Sequence, residues 1–174
     1  KDGGSGSDNA TVTVDVVNEA PVVNAGADTA INEGDNFISS GSFTDAGSGP
    51  WTATVDYGDG SGVQPLTLSG YDFNLSHLYT DNGSFTVTVA ITDPSLATGT
   101  DTVMVTVNNV APAVDAGPDA AINDGDTFTS SGSFTDPGAD TWTATVDYGD
   151  GSGAIPLSLN PDKTFDLSHL YSTA

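Results

Sequence analysis

The octet VDYGDGSG stands at Val55 to Gly62 and recurs letter for letter at Val146 to Gly153. Its carboxylates, Asp56 and Asp59 in the first copy and Asp147 and Asp150 in the second, sit among glycines, an oxygen-rich composition that could hold calcium or turn the chain. The spacing Asp-x-x-Asp-Gly lacks the alternating carboxylates of an EF-hand loop, and no helical pattern flanks it. Glycines at 58, 60 and 62 permit positive φ, and aspartate side chains bond loop amides. The octet therefore reads as the end of a strand followed by a turn that the fold needs twice.

Ser76-His77 and Ser168-His169 are the other residues with nucleophile chemistry in prospect. Adjacent residues on a strand leave opposite faces, so hydroxyl and imidazole are kept apart, while His77 and Tyr79 share a face and are expected to pack at a sheet corner. No His-Glu-x-x-His, no Gly-x-Ser-x-Gly and no glycine loop with lysine occurs, so no catalytic residue is assigned and the chain is read as a non-enzyme.

The elements that must position these residues follow from a repeat. Pro21 meets Pro112, Phe43 meets Phe134 and Trp51 meets Trp142, a register of 91 residues. SSGSFTD recurs at Ser39 and Ser130, and LSHLY recurs at Leu75 and Leu167 with one residue inserted. A period this long means tandem globular modules, not short solenoid units. Within them apolar residues fall at every second position, the strand period: Trp51, Ala53, Val55 and Tyr57; Phe85, Val87, Val89 and Ile91; Val103, Val105 and Val107, matched 91 residues earlier by Val12, Val14 and Val16. The fold class is all-β, with a sandwich of about seven strands in each module. Residues 1–17 align with the last strand of a module, 18–108 form a complete module, and 109–174 form a second module that stops before the strand equivalent to Phe85 to Ile91. Either a longer chain or neighbouring chains are expected to supply the missing strands, and an unpaired sheet edge invites self-association.

Composition narrows the partners. Two basic residues stand against 24 acidic ones, a formal net charge of -22, so phosphate backbones are repelled and nucleic acid is excluded as a partner. There is no cysteine, hence no disulfide and no thiolate metal site, and no apolar run approaches the roughly 18 residues of a bilayer span.

Taken in order, Asp56-Tyr57-Gly58-Asp59-Gly60, His77 and Tyr79, Gly83-Ser84-Phe85-Thr86-Val87-Thr88-Val89 and Asp93 resemble a PKD (polycystic kidney disease) domain. Such domains commonly carry tryptophan where this chain has Val55; Trp51 supplies bulk from the same strand face. The resemblance covers essentially the whole chain. It implies an immunoglobulin-like sandwich, an extracellular or surface location, a bacterial secreted or surface protein as the setting, and no activity of its own. Some domains of this kind bind calcium near their start; by position this implies Asn18, Asp45 and Asp93 in the first module and Asn109 and Asp136 in the second, against the plainer reading of the aspartates as Asx-turn residues.

Two smaller signals remain. GGSGSD at Gly3 to Asp8 fits one unit of a calcium-binding repeat, but a single copy reads as an acidic loop. Asn9, Asn74 and Asn82 head Asn-x-Ser/Thr sequons and are the candidate glycan sites. The function expected is structural: stacked modules of an extracellular fibre, stalk or surface assembly, neighbouring modules of the chain being the first partners. The alternatives are an accessory module of a secreted hydrolase, gripping polymer through Trp51, Tyr71 or Trp142, and an adhesin repeat.

Overall fold

The computed structural model describes Gly3 and residues 9–172; the acidic loop read at Gly3 to Asp8 otherwise lies outside the described residues. The first module contains β1 (Val22–Asn24), β2 (Thr29–Asn32), β3 (Asn36–Thr44), β4 (Thr52–Asp56), β5 (Gln64–Pro65), β6 (Leu68–Ser69), β7 (Asp72–Leu78), β8 (Gly83–Thr92) and β9 (Thr98–Asn108). The second contains β10 (Ala113–Asp115), β11 (Thr127–Thr135), β12 (Ala144–Val146), β13 (Ile155–Leu157) and β14 (Thr164–Leu170). There is no helix among the described residues, and none that is long and apolar enough to cross a membrane. The all-β sandwich reading holds.

In the first module β1-β3-β7-β6 form one sheet and β2-β9-β8-β4-β5 the other. Every pairing is antiparallel except β2 with β9, where Thr29 lies beside Val105 and Asn32 beside Asn108. The two short strands β5 and β6 raise the count above the expected seven. Alternation along each strand decides what is buried: Phe37, Phe43, Phe73 and Leu75 from the first sheet meet Ala53, Val55, Val87, Val89, Ile91, Val103, Val105 and Val107 from the second. Most of this set was legible as period-two faces. Phe85 and Trp51 sit at the rim, packed on the core but only partly buried.

The second module repeats β1, β3 and β7 as β10-β11-β14, and pairs β12 with β13 alone. Its inner face opens into a cavity of about 570 Å³ lined by Val114, Phe134, Trp142, Val146, Leu157 and Leu167 among others. The corresponding space in the first module is filled by the valines of β8 and β9, which have no counterpart among the described residues of the second. The same lack explains two local losses. Residues 120–123, equivalent to β2, form no strand, because β2 is held by β9. β12 is shorter than β4, whose other neighbour is β8. Residues 9–17, expected as the last strand of another module, likewise form no strand here; Val12, Val14 and Val16 are 82%, 76% and 91% exposed, with no β8 and β2 to lie between.

The repeated SSGSFTD has a steric reason. Gly41 on β3 lies under the Phe73 ring and against the Asn24 carbonyl, and Gly132 lies likewise under Phe165 and against the Asp115 carbonyl. A methyl at either position enters the facing ring. Gly41→Ala is expected to destabilise the first module by about 1–3 kcal/mol, the usual cost of overpacking, measured as a lowered urea midpoint at unchanged slope.

Candidate functional site

Each octet ends a strand and turns the chain as expected. Gly58, Gly60 and Gly62 have φ of 75°, 88° and 82°, and Gly149, Gly151 and Gly153 repeat this at 72°, 87° and 81°. The Gly58 amide donates to Asp56 Oδ1 and the Ser61 amide to Asp59 Oδ1, both at 2.9 Å; Asp147 and Asp150 accept from Gly149 and Ser152 at the same distance. Four of the carboxylate oxygens are thereby committed to the backbone.

Asp59 has a second task that the sequence reading missed. Its Oδ2 meets His77 Nε2 at 2.6 Å, and Asp150 meets His169 at 3.0 Å. The His77 ring stacks on Tyr57 at 4.2 Å and stands edge-on to Tyr79 at 4.8 Å, an arrangement repeated by His169 with Tyr148 and Tyr171. The buried Tyr79 hydroxyl donates to the Tyr57 carbonyl at 2.8 Å, and the Tyr57 hydroxyl accepts from the Ser76 amide at 3.2 Å. The recurrence of Asp and His in both copies, 18 and 19 residues apart, was the available signal. Here the pair ties the octet turn to β7 through an aromatic stack and acts as a clasp.

The electrostatics agree. Burial opposes ionisation of Asp59, but the Ser61 hydroxyl and amide and the His77 ring outweigh it and bring its pKa down to about 2. At Asp150 the Ser152 hydroxyl and amide lead, burial opposes, His169 assists, and the result is again about 2. Burial, with the negative charge of Asp59 nearby, lifts Tyr79 to about 12, so its hydroxyl stays a donor. A carboxyl held below its ordinary 3.8 contributes stability that is complete above that value and is lost as pH falls towards about 2. Asp59→Asn is expected to destabilise by about 0.5–1 kcal/mol at pH 7, the scale of partly exposed hydrogen bonds to a carboxylate, with the difference from the unaltered chain closing between pH 4 and 2 in acid titrations followed by circular dichroism.

Of the residues implied for calcium, the structure joins Asn18 to Asp93: the Asn18 amide nitrogen donates to Asp93 Oδ2 at 2.7 Å. Asp93 Oδ1 accepts from the Ser95 and Ala97 amides, and these bonds, with Asn18 first, hold its pKa below the usual carboxylate range. Asp45 and Asp136, 91 residues apart, make the same Asx turn, accepting at Oδ1 from the Gly47 and Gly138 amides, while Oδ2 of each is buried with no hydrogen-bond partner. Asn109 is exposed and lines the mouth of the second-module cavity with Asp140. Asn9, Asn74 and Asn82 are all exposed. Trp51 packs on Phe43 and Tyr71, and Trp142 on Phe134 beneath the Lys163 ammonium, so neither ring is displayed as a free flat platform; Tyr71 is 47% exposed.

A further group of carboxylates, none of them singled out from sequence except Asp136, lies where the modules meet. The Ala139 amide donates to the Thr80 carbonyl at 2.9 Å, the Val110 amide to Glu33 Oε1 at 2.7 Å, and Pro137 packs against Gly34. Glu33, from the loop after β2, is 2% exposed. One carboxylate oxygen each from Glu33, Asp81 and Asp140 lie within 4.8 Å of one another. Burial first, then the charges of Glu33, Asp136 and Asp81, raise the pKa of Asp140, against the opposing pull of Lys163.

Comparison with solved structures finds the PKD domain of an M14-like peptidase from Thermoplasmatales archaeon SCGC AB-540-F20, 23% identical, over 52% of this chain and 98% of that one, with a TM-score of 0.46. An I-band fragment from titin matches at 12% identity over 90% and 56% of the two chains, TM-score 0.43. Fibronectin(III)-like modules of Clostridium thermocellum CbhA match at 14% over 86% and 79%, TM-score 0.35. No curated protein matches. The family model described as PKD domain matches residues 18–107 and again 109–174. With the octet clasp present in both matched segments and the two-sheet core in the first, this chain belongs to the PKD domain family.

Proposed function

We propose that the chain is a non-catalytic spacer of an extracellular fibre, stalk or surface assembly, working through the stacking of its sandwich modules. The observation that carries this reading is the joint. Only Asn109, Val110 and Ala111 separate β9 from Pro112, and the seam is closed by the Ala139 to Thr80 backbone bond and by Pro137 on Gly34. A linker this short, with both sides in contact, favours a semi-rigid string over freely pivoting beads. The open face of the second module supports a further element, completion by strands of a neighbouring chain or module. Calcium bound at Asn18, Asp45 and Asp93, with the equivalent Asn109 and Asp136, belongs to the same proposal: the orphan Oδ2 of Asp45 and Asp136 supports it, and occupancy would require Asn18 to turn its carbonyl oxygen towards the ion.

Small-angle scattering tests the spacer reading. A compact globule of 174 residues has a radius of gyration of about 16 Å. The chain is expected to exceed this clearly, and Pro137→Gly is expected to broaden the distribution of shapes by loosening the seam. A compact particle, indifferent to Pro137→Gly, would overturn the reading.

A further inference from the structure

We propose that Glu33, Asp81 and Asp140 form a calcium site bridging the two modules, with ligands other than the Asn18, Asp45 and Asp93 set at the far end of the first module and other than Asn109 and Asp136, which border the same seam. A calcium ion takes oxygen ligands at about 2.3–2.6 Å, so ligand oxygens on one ion lie no more than about 5 Å apart. The three carboxylate oxygens meet that limit, lying within 4.8 Å of one another. Crowding of acids is common on a surface this negative, so proximity alone decides little.

The independent observation is Glu33. It is 2% exposed, and although Oε1 accepts from the Val110 amide, Oε2 is buried with no hydrogen-bond partner. A desolvated carboxylate oxygen without a donor is costly to keep, and a cation is the partner that its neighbours Asp81 and Asp140 could share. Gly138 makes room for it: a Cβ there would stand 2.7 Å from the Glu33 carboxylate. Asp136 Oδ2 is a second buried orphan in the same negative field, on a residue that is 9% exposed. Lys163 is the neighbouring cation, but its bond goes to the Asp136 carbonyl oxygen at 2.8 Å and its ammonium lies 4.4 Å over the Trp142 ring. Around Asp140 the charges of Glu33, Asp81 and Asp136 are thus opposed by Lys163.

The site is particular to this seam. Shifted by 91 residues, Glu33 becomes Asp124 and Asp140 becomes Gly49, and with the one-residue insertion Asp81 becomes Thr173. Ligands come from both modules, so the ion would fasten one to the next. That consequence rests on the spacer reading, whereas the site itself does not.

Calcium is titrated by calorimetry into the metal-stripped chain, with magnesium in parallel. The seam is expected to add one equivalent to any bound at the Asn18, Asp45 and Asp93 set, binding in the range of extracellular modules, on the order of 10⁻⁴ M, and more tightly than magnesium. The Glu33→Gln/Asp140→Asn pair is expected to lose it, while Asp93→Asn keeps it. Asp81→Asn, at an exposed position, is expected to weaken it about tenfold with unchanged circular dichroism, and it keeps the test decisive should the pair fail to fold. No calcium binding by the unaltered chain, binding untouched by these substitutions, or equal affinity for magnesium would overturn the proposal. Binding lost with these side chains but without effect on the scattering radius supports the site and removes stiffening from the spacer reading.

Discussion

Each module depends on filling the space between two sheets. In the first, valines of β8 and β9 drive against Phe37, Phe43, Phe73 and Leu75, and burial of these apolar faces supplies the favourable free energy that β-pairing alone does not. The second module displays what that filling is worth: Phe128 is half-buried where its counterpart Phe37 is 1% exposed, and a cavity replaces the valine rows. The β10-β11-β14 sheet nevertheless keeps the register of β1-β3-β7, with Gly132 paired to Phe165 as Gly41 is to Phe73. The glycine-under-ring contact and the strand register thus recur together in both copies.

The strands were legible because alternation is a local signal: Val87, Val89, Val103, Val105 and Val107 could be placed on inward faces from spacing alone. The octet turn was legible for the same reason, since Gly58, Gly60 and Gly62 with Asp56 and Asp59 specify their own bonds. The Asp59 to His77 contact was not, because it joins residues 18 apart whose meeting depends on how the turn after β4 folds over β7. Less visible still was the carboxylate group at the seam. Glu33, Asp81 and Asp140 belong to three separate loops, and nothing in the spacing of three acids within so acidic a chain distinguishes these from the rest.

Charge shapes the molecule in two ways. Eight of the acidic side chains are spent in Asx turns, where a carboxylate replaces a ladder partner for an amide: Asp45, Asp56, Asp59 and Asp93 in the first module, and Asp115, Asp136, Asp147 and Asp150 in the second. The residual field is repulsive, and it concentrates where modules abut. Screening by salt acts first at the seam, where Glu33, Asp81, Asp136 and Asp140 are crowded, because the interior of the first sandwich carries almost no charge.

The single parallel pairing carries a mechanical meaning. β2 lies early in the first module and β9 at its end, side by side and running the same way from Thr29 with Val105 to Asn32 with Asn108. Pulling the module by its two ends drags parallel neighbours in opposite directions along their length. Their cross-bonds are then strained together in shear and must give way at once, whereas an antiparallel hairpin pulled from its open end would unzip one bond at a time. Under such a pull the four paired residues of the parallel ladder would resist together.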